Sequence, residues 1–240
     1  MEWHDAGVVL SSRPLGERDA VVTLLTRDHG RHPGLVRGGA GRRMTPVLQA
    51  GNEVQVQWRA RLSDHLGSFT LELLRPRAAA VLDSARRLAA LSAVCALVEQ
   101  CLPEREPHAR LFDGLAVVFD VIEADGPWAP LMVRFEVELL AELGFGLDLA
   151  NCAVTGSPDD LTHVSPRTGR AVSARAAEPY GDRLLRLPRF LLGAQAGNDY
   201  PAEVADGFAL TGHFIERHIL GPQGRNLPPA RARLLNLLLG

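Results

Sequence analysis

From the start of the chain to about residue 75, apolar positions recur every second residue. Val54-Gln55-Val56-Gln57-Trp58-Arg59 is the clearest run: even positions are apolar and odd ones polar, which turns one face of a strand toward a core. Phe69, Leu71 and Leu73 alternate in the same way with Ser68, Thr70 and Glu72. Ala6–Ser12 and Ala20–Thr26 read as two earlier strands, and Leu35-Val36 as a short one between. Pro14-Leu15-Gly16, Gly38-Gly39 and Ser63-Asp64 supply turns. Strands this short and this many predict a small barrel of the OB-fold or SH3-like type.

Past Arg75-Pro76 the period becomes helical. Leu88, Leu91, Cys95, Val98 and Leu102 fall three and four apart, and Pro103 stops the helix. Leu111, Leu115, Val118 and Ile122 form a second stripe. A third helix is expected over Ala129–Leu143, with Gly144 as its C-terminal cap. Val204, Phe208, Thr211, Ile215 and Ile219 mark a fourth, and Ala230–Leu239 a short last one. Between the third and fourth, residues 149–177 form an insertion. There Leu161–Ser165 and Arg170–Ser173 flank a Pro166–Gly169 turn, the pattern of a small hairpin. The predicted fold is therefore multi-domain α+β: an OB-like barrel over 1–77, then a helical domain over 78–240 carrying the hairpin insertion.

Charge changes this picture at one place. Residues 27–43 read RDHGRHPGLVRGGAGRR, with five arginines and two histidines among five glycines. The segment is too polar to bury and too glycine-rich for a helix, so it predicts a mobile basic loop that touches phosphates. Arg31, Arg37, Arg42 and Arg43 are the main candidates; Arg27 is weaker because Asp28 adjoins it. Arg59 and Arg61 share the polar face of their strand and would extend the patch. Residues 1–80 hold 11 arginines against 8 acidic residues, and residues 81–240 hold 15 against 20, so a basic part is joined to an acidic one. A phosphate binder of this kind has weak sequence preference and strong salt dependence. Aromatics are few at 5%, Trp58 and Phe69 fall on apolar faces, and Trp3 alone is left as a loose candidate for base stacking.

Other chemistry finds little footing. Every basic residue is Arg, so there is no P-loop lysine and no Schiff-base lysine. Cys95, Cys101 and Cys152 are odd in number and lack a C-x-x-C, which fits a reducing compartment. No signal peptide or spanning segment is read, and a soluble cytoplasmic protein is expected. Glu136, Glu138 and Glu142 read as a solvated helix face. His213 and His218 are five apart, where a zinc helix needs four. Gly38-Gly39-Ala40-Gly41 lacks the dinucleotide spacing. No catalytic residue and no cofactor is assigned.

The order of parts resembles the RecO family of bacterial recombination mediators over nearly the whole chain. GVVLSSRPLGERDAVVTLLTRDHGR is similar to that family's opening strands, FEVELLAELGFGLDLANCAVTG to its central helix and turn module, and GRNLPPARARLL, more loosely, to its last helix. The resemblance implies a non-enzymatic role in DNA repair: binding single- and double-stranded DNA, annealing strands, engaging single-strand-binding protein and RecR, and helping to load RecA. It also implies that the acidic C-terminal tail of single-strand-binding protein docks on the helical domain. Arg110 and Arg134 are the candidate rim for that tail, beside Leu111, Leu131 or Phe135. Some members hold zinc in the turn module with two C-x-x-C pairs; here those positions read Cys152, Thr155, Ser173 and Ala176, so no metal is expected. An RNA- or ribosome-associated OB protein is the alternative, and an enzyme with its site among the helices a more distant one.

Overall fold

The computed structural model describes residues 1–193 and 200–239. Five strands, β1 (Glu2–Leu15), β2 (Asp19–Thr26), β3 (Gly30–Val36), β4 (Glu53–Arg59) and β5 (Ser68–Arg75), close into a barrel in the order β1-β2-β3-β5-β4. Neighbours are antiparallel except β3 and β5, which meet in parallel at Leu35 and Ser68. This is the OB-fold connectivity, and it selects between the two barrel types that strand spacing left open.

Closure depends on β1. Its first half, Glu2–Val8, pairs with β4, and its second half, Gly7–Leu15, pairs with β2, with a bulge between Val9 and Ser11. A bulge bends and twists a strand, which lets one strand border both edges of the sheet. The core inside the barrel is built from Val9, Val22, Leu24, Val54, Val56 and Trp58, with Leu48 closing from the β3–β4 loop. β2 is buried along nearly its whole length, so its period-two signal is weak on the page.

β3 corrects the expected mobile loop. Its residues alternate strictly, with Gly30, His32, Gly34 and Val36 buried and Arg31, Pro33 and Leu35 partly exposed. The pattern is missed in sequence because three of its four inward positions are glycine or histidine. Gly34 is required by contact: a Cβ there would lie 2.4 Å from the Phe69 ring, which crosses its backbone. The basic run is thus a hairpin turn at 27–29, a strand, and a separate loop at 37–52.

The chain divides into two compact units, Met1–Gly126 with Pro228–Leu234, and Pro127–Leu227 with the end of the chain from Leu235. In the first unit the barrel is followed by α1 (Arg77–Ala80), α2 (Ala85–Cys101) and α3 (Ala109–Glu123). Ser84 caps α2 by accepting from the Arg87 N–H at 3.3 Å, and α2 buries residues around most of its girth. α3 buries the expected stripe of Leu111, Leu115, Val118 and Ile122. Arg77, 1% exposed, joins β4 to α3: its guanidinium meets Glu53, Asp120 and Glu123 and lies over the Phe119 ring.

The second unit holds α4 (Trp128–Glu142), a hairpin of β6 (Leu161–Val164) and β7 (Ala171–Ser173), α5 (Ala174–Ala177), β8 (Leu185–Arg186) and α6 (Tyr200–Ile215). The last helix is α7 (Pro229–Leu239). Gly144 follows α4 at φ +85°, the left-handed turn that ends a helix. β8 adds a third strand to the hairpin, in the order β7-β6-β8, which two residues of sequence do not announce. Glu136 is the other correction: it is 1% exposed, not on a solvated face, and accepts a hydrogen bond from the Thr211 hydroxyl of α6. Its neighbours Met132, Val133, Phe135, Leu139 and Leu140 are all core, so α4 buries a face too wide for Glu136 to escape.

Candidate nucleic-acid interface

The β3–β4 loop carries Arg37, Arg42 and Arg43, all exposed and without a hydrogen bond or ion pair to any described residue. The loop is ordered by its own backbone. Met44 and Thr45 donate to the Gly41 carbonyl at 3.0 and 3.1 Å, and Val47 and Leu48 donate to Met44 at 2.9 and 3.0 Å. Met44, Val47 and Leu48 pack on the barrel core, so the opposite side of the same turns, bearing Arg42 and Arg43, faces water. Two bonds tie the loop's start to the β1–β2 hairpin: Gly38 N–H to the Asp19 carboxylate at 2.8 Å, and Ala40 N–H to the Arg18 carbonyl at 3.0 Å.

That hairpin adds two arginines which sequence reasoning passed over. Arg13 and Arg18 are exposed and also lack an ion-pair partner among the described residues. The signal is present in SSRPLGERD, where each arginine is close to the turn, but the bonds from Gly38 and Ala40 that join this turn to the basic loop form only in the folded chain. Between the hairpin and the loop lies a cavity of about 460 Å³, lined by Leu10, Ser12, Pro14, Gly39, Thr45 and Gln49 among others. Five guanidinium groups without carboxylate partners at one end of a barrel form an anion-attracting surface, each able to fork two oxygens of a phosphate.

The remaining candidates sit elsewhere and are engaged. Arg27 forks Asp113 of α3 at 3.1 and 2.8 Å. Arg31 donates through Nε to the Leu102 carbonyl at 2.7 Å and meets Glu104 at 3.4 Å. Both therefore fasten the barrel to the helices beside it. Arg59 pairs with Glu2 at 2.9 Å, whereas Arg61 is exposed and has no partner among the described residues. Arg110 is exposed near the start of α3, in the first compact unit. Arg134 is in the second unit, exposed on α4, and donates to the Phe190 carbonyl at 2.5 Å. Leu111 and Phe135 are core residues at 3% and 4% exposure, and Leu131 is half-buried.

In the turn module the Cys152 sulfur accepts from the Ser173 N–H at 3.3 Å and the Ser173 hydroxyl at 3.4 Å. Burial pushes this thiol up, but the bonds from Ser173 and Thr155 outweigh it and bring it down to about 6. One sulfur, two hydroxyls and the Ala176 methyl are not the four-donor set a zinc ion requires, so the residues present do not fit the metal. His163 bonds Thr162 at 2.9 Å and takes no part in the cluster. Among the described residues no three His, Cys, Asp or Glu side chains gather as a metal site.

A five-stranded OB barrel with a free arginine surface is followed along the chain by helices and a small hairpin module. Residues 1–77 match the family model for the Recombination protein O N terminal, and residues 82–228 match that for the Recombination protein O C terminal. A DNA repair protein RecO from Rhodospirillum centenum is 53% identical over 238 residues, spanning 98% of this chain and 94% of its own. Its counterpart from Rhodospirillum rubrum is 49% identical over 243 residues, spanning 99% and 96%. That from Cereibacter sphaeroides is 50% identical over 240 residues, spanning 99% of each chain. The chain belongs to the RecO family, and its role lies in DNA repair and recombination. No helix among the described residues is long and apolar enough to cross a membrane.

Proposed function

We propose that the protein is a non-enzymatic recombination mediator of the cytoplasm that binds single- and double-stranded DNA through its barrel and anneals complementary strands. The observation that carries this is the set of free arginines on and beside the ordered β3–β4 loop. Phosphate contacts of this kind bind any sequence and lose affinity steeply with salt. Arg37, Arg42 and Arg43 are the phosphate-binding residues, with Arg13 and Arg18 beside them and Arg61 a lesser site. Arg27, Arg31 and Arg59 serve structure first.

On this reading residues 1–77 are the DNA-binding domain and residues 78–240 the partner-binding one. The partners are the acidic C-terminal tail of single-strand-binding protein and RecR, with RecA loaded as the consequence. Arg110 and Arg134 are charges such a tail would seek, Arg110 being the freer of the two. The test has two arms. Labelled single-stranded DNA is competed with RNA of equal length, and annealing of complementary strands is followed by fluorescence transfer. DNA binding with accelerated annealing is expected; binding of RNA alone, without annealing, would favour the ribosome-associated reading. Titration of a fluorescent tail peptide tests the partner: binding weakened by Arg110→Glu or Arg134→Glu is expected, and equal binding by both variants rejects these positions.

A further inference from the structure

At the other end of the barrel from Arg37–Arg43, the first residues of β1, the β2–β3 turn and the β4–β5 loop enclose a cavity of about 510 Å³. Its walls are rings. The His29 imidazole stacks on Trp3 with centroids 4.0 Å apart and planes 9° apart, and Trp3 lies nearly parallel to Trp58 at 5.6 Å. His32 stands edge-on to both indoles, at 5.3 and 5.0 Å. The pile ends in a ring that is available, since the His29 side chain is 33% exposed. Such a surface takes flat aromatic molecules, because stacking on aromatic faces is tolerant of their identity.

The polar atoms narrow the occupant further. His32 is 3% exposed, and its Nδ1 lies 2.9 Å from the Pro33 carbonyl oxygen, which can only accept. The proton is therefore on Nδ1, and Nε2 is a lone-pair acceptor with no partner among the described residues. Burial lowers the pKa of this imidazole, so it stays neutral and accepting at neutral pH. The Asp28 side chain lines the same cavity, exposed and without a partner. Asp5 holds His29 at 3.0 Å, and Glu2 lines the cavity with its carboxylate held by Arg59 at 2.9 Å. The Met1 ammonium and Arg105 guanidinium also line it, donating to the carbonyls of Ala60 and of Ser63, Asp64 and His65. With both cations spent on backbone carbonyls and the Arg105 Nε buried, the open polar groups are the Asp28 carboxylate and the His32 Nε2, both acceptors, which do not hold a phosphate. The cavity needs a ring that is uncharged and offers N–H donors at its edge. The Watson–Crick edges of nucleobases do this, the amino groups of adenine, cytosine and guanine above all. Arg61 lies nearby in sequence to receive a flanking phosphate.

We propose that this cavity is a nucleobase subsite: one unstacked, amino-bearing base of a single DNA strand extends the His29–Trp3–Trp58 pile and donates to His32 and Asp28. The inference rests on the reading of the barrel as a DNA-binding module, and it adds to that reading a contact which duplex DNA, with its bases paired and stacked, does not make.

The test compares a short oligo-deoxycytidine with an abasic strand of equal length and phosphate count, by anisotropy at fixed salt. The wild-type protein binds the base-bearing strand more tightly, by roughly 5- to 150-fold for one stacked base. Trp3→Ala brings the two strands level, and Trp3→Phe retains the difference. Trp3 is half-buried and its loss can affect folding, so Ser63→Trp is the second variant; it fills the cavity from an exposed position and also abolishes the difference. Arg42→Ala with Arg43→Ala weakens both strands together and leaves their ratio. Equal binding of the two strands by wild-type protein overturns the subsite alone, as does a ratio that survives in folded Ser63→Trp. A Trp3-dependent affinity for peptide rather than DNA overturns it as well. Binding of neither strand overturns the DNA-binding reading with it.

Discussion

Arg77 is the residue whose removal best tests how the barrel is held to its helices. It is 1% exposed, and its guanidinium makes three polar attachments. Nε donates to Glu53 at 2.8 Å, with Nη2 on the same carboxylate, and Nη1 donates to Asp120 and Glu123, each at 2.8 Å. Replacing it by methionine keeps most of the apolar stem and removes every one of these bonds. Asp120 has a side chain 54% exposed and regains water, so its share is small. Glu123, at 14%, keeps Arg75 at 2.6 Å and Asp120 keeps it at 2.8 Å, so Glu53, at 27%, is the carboxylate left without its partner. Removing one partner of a buried pair costs about 3–5 kcal/mol, and the retained Arg75 pairs with the partial exposure of Glu53 place Arg77→Met at the low end, near 3 kcal/mol. For a chain of this size that lowers the melting temperature by roughly 6–12 °C. The pH dependence gives an independent check. The Arg77 guanidinium holds the Asp120 carboxyl below its ordinary value of 3.8. A depressed carboxyl contributes stability that is present above its unfolded value and is lost as pH falls through the folded one. The gap between wild type and variant should therefore be full at neutral pH and shrink below pH 3.8. Urea unfolding across pH measures both. A loss under about 1 kcal/mol, the range of exposed ion pairs, with no acid dependence, would refute the reasoning.

Gly34→Val should destabilise the barrel by about 1–3 kcal/mol, since its Cβ would lie 2.4 Å from the Phe69 ring, and thermal melting reads this directly. Cys152 should titrate as a thiolate near pH 6 while Cys95, pushed up to about 12 by burial, stays protonated; ultraviolet thiolate absorbance follows it, and Cys152→Ser should remove the transition. Because the folded thiol lies below the ordinary 9.0, its contribution to stability is full above pH 9.0 and is lost as pH falls toward 6. Elemental analysis of chelator-washed protein should find zinc well below one equivalent, and chelation should leave the melting curve unchanged.

Much of the fold is written in periodicity, and what is hidden has specific causes. β4 and β5 alternate on the page because one face of each is polar. β3 does not, because the inward positions before Val36 are His32 and two glycines, which no hydropathy pattern marks as core. β1 reads as seven residues and is fourteen, since Trp3 and Asp5 pair with β4 before the apolar run begins. Glu136 looks solvated until α6 supplies Thr211 from 75 residues away. The basic run was legible as charge but not as placement. Whether an arginine is free or tied depends on Asp113 and Glu104, acids distant in sequence that take Arg27 and Arg31 out of the surface. Trp3 stood out only as an aromatic off the core pattern; the stack with His29 and Trp58 needs the closed barrel.

The claim that free arginines of the β3–β4 loop carry DNA affinity is tested most directly by the salt dependence of single-strand binding. Wild-type protein and Arg42→Ala with Arg43→Ala are titrated with one labelled strand at several salt concentrations. Each phosphate contact contributes about 0.7 to the slope of log affinity against log salt on a single strand, so the double variant should bind more weakly with a slope shallower by about 1.4. A folded double variant with unchanged affinity and unchanged slope would contradict the account.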